Sequence, residues 1–178
     1  MVVVTRRREG SSEAQPACSQ KALDLLARRP HFEAELRAKL SRRAYDGAEV
    51  EAVLDRLREQ RLVDDRRLAA DYVARRREER PMGRRRLLAE LVRRGVDGDL
   101  AAEVLAPISE EEEEEAARRA MLLWKRRGGV ERAALARHLE RRGFGARAIL
   151  ALLDETGDGA SVAAHVDRAV SPDPAADS

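Results

Sequence analysis

The sequence predicts an all-α protein made of three tandem three-helix repeats that together form an elongated, curved molecule. Three observations carry that expectation. Ala, Leu, Arg and Glu dominate the 178 residues while β-branched residues are scarce, the composition of a chain that prefers helix. Aromatic residues make up only 3% (Phe32, Tyr45, Tyr72, Trp124 and Phe144), too few for one thick core. A spaced set of residues also recurs three times along the chain.

Shifting residues 31–54 by 51 positions lays Leu36 on Leu87, Leu40 on Leu91, Arg43 on Arg94, Asp46 on Asp97, Gly47 on Gly98 and Leu54 on Leu105. A further shift of 48 lays Leu87 on Leu135, Leu91 on Leu139, Arg94 on Arg142, Gly95 on Gly143, Val96 on Phe144 and Leu105 on Leu153. Leucine-rich helices coincide by chance at a few positions. A coincidence that also carries an Arg-small-apolar break through three copies marks a true repeat with a period near 50.

The elements follow in order. Residues 1–20 read as a flexible tail. The first repeat, 21–63, holds helices near Lys21–Arg29, His31–Arg43 and Gly47–Gln60. The second, 64–108, holds helices near Asp65–Arg80, Met82–Arg94 and Gly98–Leu105. The third, 109–156, holds helices near Glu110–Arg127, Glu131–Arg142 and Ala146–Glu155, and residues 157–178 read as a second flexible tail in which Val162–Val170 has the pattern of one loose helix. Pro30 and Pro81 stop the helices before them, because the residue preceding proline is pushed out of the α region. Gly95 and Gly143 stand where a left-handed C-terminal cap is needed, and Asp64 and Ser109 are expected N-caps. On the middle helix of the second repeat, Leu87, Leu88, Leu91 and Val92 share one arc, opposite Arg86, Glu90 and Arg93. Each bundle is too small to bury much surface alone, so the repeats are expected to brace one another.

Composition and motifs narrow the chemistry. Cys18 is the single cysteine, which rules out an internal disulfide and a thiolate metal cage. His31, His138 and His165 lie far apart with no HExxH pattern, so no metal centre is expected. Neither GxxxxGK[ST] nor GxGxxG occurs, and no nucleophile-elbow signature supports a triad. The reading is a protein with no enzymatic activity and no cofactor. Val2–Val4 is too short for a signal peptide and Ala120–Trp124 far too short for a membrane span, so a cytoplasmic location is expected.

Charge placement is the informative feature. The net charge is +2, the difference of 35 basic and 33 acidic side chains, and 32 of the basic ones are arginine. Codon usage is one origin of such a bias; the match of the planar guanidinium to phosphate and carboxylate is the other. From Tyr72 to Gly95 nine arginines face three glutamates. Helical spacing gives Arg75 a partner in Asp71, and Arg86 and Arg93 a partner in Glu90. It gives none to Arg77, Arg80, Arg84 and Arg85, a concentration of positive charge suited to an acidic surface or a nucleic-acid backbone. Lys125, Arg126, Arg141 and Arg142 end two later helices, where the helix dipole favours cations. Glu110–Glu115 carries the opposite sign at a helix start, where the dipole favours acids.

The stretch LVDDRRLAADYVARRREERPMGRRRLLAELVRRGV, Leu62–Val96, resembles the signature region of the RecX family, in which an Asp-rich turn leads to a helix with Tyr and Arg, a Gly turn, and a Leu-rich helix ending in basic-Gly-apolar. The matching positions are Asp64, Asp65, Tyr72, Arg75, Gly83, Leu87, Leu91, Arg94, Gly95 and Val96. The resemblance extends over residues 21–156 through the triple repeat; the six-glutamate run and the tails match no feature of the family. It implies a regulator that lies in the groove of the RecA–single-stranded-DNA filament and restrains ATP hydrolysis, strand exchange and support of LexA cleavage, with weak direct contact to single-stranded DNA and the protein acting as a monomer. The candidate contact residues are Tyr72, Arg75, Arg76, Arg77, Arg80, Arg84, Arg85, Arg126, Arg141 and Arg142, with Asp64, Asp65, Gly83, Leu87, Leu91 and Gly95 holding the motif's shape. Two other readings stand beside it. One is a stand-alone DNA-binding helical-repeat protein, disfavoured by the lack of Asn or Gln placed to read adenine. The other is a helical scaffold for an unrelated protein.

Overall fold

The computed structural model describes residues 17–155, which are helical throughout apart from turns. The tail expectations for 1–16 and 157–178 lie outside the described residues. The helices are α1 (Cys18–Arg28), α2 (Glu33–Ser41), α3 (Gly47–Glu59), α4 (Asp65–Glu79), α5 (Arg84–Arg93), α6 (Gly98–Leu105), α7 (Glu110–Lys125), α8 (Arg132–Arg141) and α9 (Ala146–Glu155). The chain is all-α over this span, in successive groups of three helices.

Two compact units divide the described residues. One comprises 17–31 and 35–63; the other comprises 32–34 and 64–155. In the first unit, α1 and α3 pack around Cys18, Ala22, Leu36, Leu40, Val50, Leu54 and Leu57, all buried. Helix α1 begins at Cys18, three residues before the sequence-based start. The reason is an apolar stripe, Cys18, Ala22 and Leu25, that continues the helix into what composition alone marks as tail.

The second unit has two cores. Phe32, Ala69, Val73, Leu87, Leu91, Val96, Ala101 and Leu105 form one, between α4, α5 and α6. Ala116, Ala117, Ala120, Met121, Leu135, Leu139, Phe144, Ile149, Leu152 and Leu153 form the other, between α7, α8 and α9. Alanines on α7 let that helix approach α8 and α9 closely.

Local chemistry explains the boundaries. Asp46 and Asp97, the repeated aspartates, cap α3 and α6 by accepting from the backbone N–H groups of Ala48 and Glu49, and of Asp99 and Leu100. Ser109 and Glu112 form a reciprocal capping box at the start of α7. Arg29 and Arg80, each before a proline, are extended (φ −167° and −152°) and end their helices. Gly95 and Gly143 adopt φ of 87° and 79°, the left-handed cap read from the repeat.

Two expectations need correction. The middle helices begin later than the pattern suggests, at Glu33, Arg84 and Arg132. Gly83, two residues after Pro81, is extended (φ −81°, ψ 161°) and its N–H donates to the Arg142 carbonyl at 3.0 Å, while the Glu33 N–H, the first of α2, donates to the Asp65 carboxylate at 2.9 Å, so distant partners satisfy these helix starts. On α5 the buried arc is also shifted. Val92 is 48% exposed whereas Glu90, placed by periodicity on the solvent side, is only 5% exposed.

Candidate functional site

The arginine-rich stretch folds into three arrangements within the second unit. The first is built on buried Glu90. Its carboxylate accepts from the Tyr72 hydroxyl at 2.8 Å, from Arg76 Nε at 3.1 Å and from Arg86 Nε at 3.2 Å. Burial raises the Glu90 carboxyl, but the hydrogen bonds from Arg76 and Tyr72 and the nearby guanidinium charge outweigh it and hold the group below the usual range. The same contacts push the Tyr72 hydroxyl up, burial first and the bond to Glu90 second, and raise Arg76. Arg94 stacks between two rings, its guanidinium carbon 4.8 Å from the centroids of both Tyr72 and Phe32. Tyr72 and Arg76 therefore point into the bundle, while Arg75 lies on the exterior, 3.9 Å from Glu79 rather than paired with Asp71.

The second arrangement is a backbone joint between the α5 start and the α8–α9 turn. Gly83 N–H donates to Arg142 O, and Arg85 N–H to Gly143 O at 3.2 Å. Arg86 Nη1 donates to Arg141 O at 3.0 Å and Arg142 Nη1 to Pro81 O at 2.9 Å. A Cβ on Gly83 would lie 2.1 Å from the Gly143 oxygen, and one on Gly143 would lie 2.3 Å from the Arg86 nitrogen, so both positions require glycine. Arg142 is half-buried here, and burial followed by the charges of Arg127, Arg80 and Arg86 lowers its pKa.

The glutamate run forms the third. Glu112 lies 3.7 Å from Arg77, and Glu113 lies 3.5 Å from Arg84 while also accepting from the Arg84 backbone N–H. Arg84 also donates to the Ile108 carbonyl, Glu110 pairs with Arg147, and Glu115 with Arg118 at 2.9 Å. Of the four arginines without a helical partner, two thus find carboxylates some thirty residues away. That distance hides them from an (i, i+4) search. Arg80 and Arg85 are exposed and make no ion pair among the described residues, and the same holds for Arg126 and Arg141.

Beside this network a groove of about 330 Å³ runs between the end of α4 with Pro81 and the second half of α7, lined by Arg77, Glu78, Glu79, Arg119, Leu122, Leu123 and Arg126. It brings Arg77 and Arg126 together from the candidate set. Sequence reasoning missed Arg119, Leu122 and Leu123. The two leucines fall beside the buried Ala117–Ala120–Met121 stripe of α7, and that off-stripe position was the signal that marks them. Of the motif residues, Leu87 and Leu91 are core, Asp64 caps α4 by accepting from Arg67 N–H, and Asp65 holds the backbone of Glu33. Among the described residues no group of His, Cys, Asp and Glu is arranged to hold a metal, and no helix is long and apolar enough to cross a membrane.

Family models for the first three-helix domain of RecX match residues 18–57, and for the second three-helix domain residues 64–105. The chain belongs to the RecX family. All of the signature stretch Leu62–Val96 except Leu62 and Val63 lies within the match to the second RecX domain, and so do Tyr72, Arg76, Arg86 and Glu90 and the Gly83 side of the joint. Among curated relatives, a regulatory protein RecX of Mycobacterium sp. (strain JLS) is 42% identical over 86 residues, covering 48% of this chain and 47% of that one. The RecX of Halorhodospira halophila is 41% identical over 92 residues, covering 52% and 56%. The chain thus spans about half the length of the curated relatives it matches. The crystal structure of RecX from Lactobacillus salivarius superposes with a TM-score of 0.70 at 19% identity, covering 78% of this chain and 93% of that one. A second crystal structure of a regulatory protein RecX gives 0.69 at 24% identity, with 78% and 71% covered. These neighbours share the helical-repeat fold.

Proposed function

We propose that this chain is a non-enzymatic regulator that binds the RecA–single-stranded-DNA filament in its groove and restrains ATP hydrolysis, strand exchange and co-protease support. Membership of the RecX family carries the reading. The arrangement of charge supports it: Arg80, Arg85, Arg126 and Arg141 are exposed cations with no carboxylate partner among the described residues, available to an acidic protein surface or to phosphates. Three repeats, 21–63, 64–108 and 109–156, would touch successive protomers of a helical polymer, adding avidity without one dominant contact. The protein acts in the cytoplasm as a monomer in this reading.

The test is the DNA-dependent ATPase rate of RecA across a concentration series of the full chain. The rate falls with increasing protein, and the Arg80→Ala/Arg85→Ala/Arg126→Ala variant shifts the half-inhibitory concentration upward by at least fivefold. An unchanged rate together with no co-sedimentation on filaments would sink the proposal.

A further inference from the structure

We propose that the groove between the end of α4 and the second half of α7 is a docking site for a short acidic, amphipathic segment of a protein partner. The inference does not depend on which protein carries the segment, and so goes beyond the filament reading. Its floor is Leu122 and Leu123, 50% and 41% exposed on a helix whose neighbouring Ala120 and Met121 are packed away. Two leucines side by side in the lining of a groove are an apolar surface with nothing over it among the described residues.

The rim specifies charge. Arg119, on α7, and Arg126, the residue capping its C-terminal end, are exposed, make no ion pair among the described residues, and stand seven residues apart with the leucines between them. Seven residues of helix span about 10 Å. A partner helix laid along the groove matches this with two carboxylates two turns apart that flank apolar residues at i and i+4, the helix-in-groove mode of recognition. On the facing wall, Glu79 is already engaged by Arg75 and Arg76, which leaves the rim positive.

The same wall argues against nucleic acid. A phosphate backbone carries charge at every residue and would meet the Glu78 carboxylate, while a peptide can place its carboxylates against the arginines alone. Among the described residues no aromatic ring lines the groove, so they offer bases no stacking platform.

The test uses the full chain and fluorescein-labelled 14-residue helical peptides, with binding read by anisotropy. The probe carries leucines at i and i+4 flanked by glutamates; one control replaces the glutamates with glutamine and another the leucines with serine. The probe is expected to bind at least tenfold more tightly than either control. Leu122→Asp weakens it by tenfold or more, and Arg28→Ala, an equal charge change on α1, leaves it unaltered. Arg119→Glu/Arg126→Glu loses the glutamate probe and gains a lysine version, a reversal that misfolding cannot produce. Equal affinity for the serine control overturns the proposal. So does no binding by the full chain, whether nothing docks or residues 161–170 or a second copy already fill the groove. Displacement of the probe from Leu122 by oligo-dT at comparable affinity assigns the groove to nucleic acid and overturns it too.

Discussion

Glu90 shows how a single buried charge is made tolerable. Its three side-chain partners come from α4 and α5, so it fastens one helix to the other as it is neutralised. Removing the charge leaves Arg76 half-buried without its main partner, and Glu90→Gln is expected to cost about 2 kcal/mol of unfolding free energy, measured by urea titration. The sign with pH follows from the lowered carboxyl. Its stabilisation is present above the ordinary glutamate value and is lost as pH falls through the lower folded one. The wild-type stability curve below about pH 4.3 should therefore be steeper than that of Glu90→Gln.

The histidines act in the same direction at higher pH. His31 is 3% exposed, with Nδ1 2.8 Å from the Arg29 carbonyl and Nε2 2.6 Å from Lys39 Nζ, which leaves no acceptor for a second ring proton. Burial lowers its pKa, and burial followed by Arg142 and Arg141 lowers that of His138. Both must charge on unfolding in acid, so stability declines as pH drops below about 6.5. His31→Gln should remove a measurable part of the loss between pH 7 and 5; an unchanged slope would contradict the assignment.

At the level of elements, the glycines divide into two kinds. Gly143→Ala meets both a left-handed φ and the Arg86 backbone, and should destabilise by about 3 kcal/mol. Gly98→Ala, with nothing within 4 Å of the added methyl, should stabilise by about 0.5 kcal/mol. Thermal melts of the two variants check the contrast. The repeat made the second kind legible, since Asp46-Gly47 and Asp97-Gly98 align as cap and first turn. It also made the left-handed glycines legible. What sequence could not reveal is that Gly83 and Gly143, sixty residues apart, touch each other; a one-dimensional pattern records the glycine but not the backbone it admits. Helix starts were misjudged for a related reason. The extended residues after Pro81 look helical in composition and are held straight by bonds to distant partners.

For the whole molecule, arginine content was visible at once, whereas its distribution between internal and external duty was not. Local spacing left four arginines free; folding returns two of them to Glu112 and Glu113. If Arg80 and Arg85 each cover one phosphate, they contribute a log–log salt slope of about −1.8 to duplex binding, half the value for all four. Titration of a random duplex with the full chain measures it, and a markedly steeper slope would favour the stand-alone DNA-binding reading. Glu112→Gln/Glu113→Gln should release the other two arginines and steepen the slope toward about −3.6.

That pairing has a wider bearing. Glu112 and Glu113 occupy Arg77 and Arg84 as a phosphate or a partner's carboxylate would, so the protein carries an internal competitor for its own cations. Any passing polyanion must exchange with those glutamates before it gains the full set of contacts. On the proposed reading, indiscriminate sticking to charge would thereby be discouraged in favour of surfaces that offer shape or apolar contact as well.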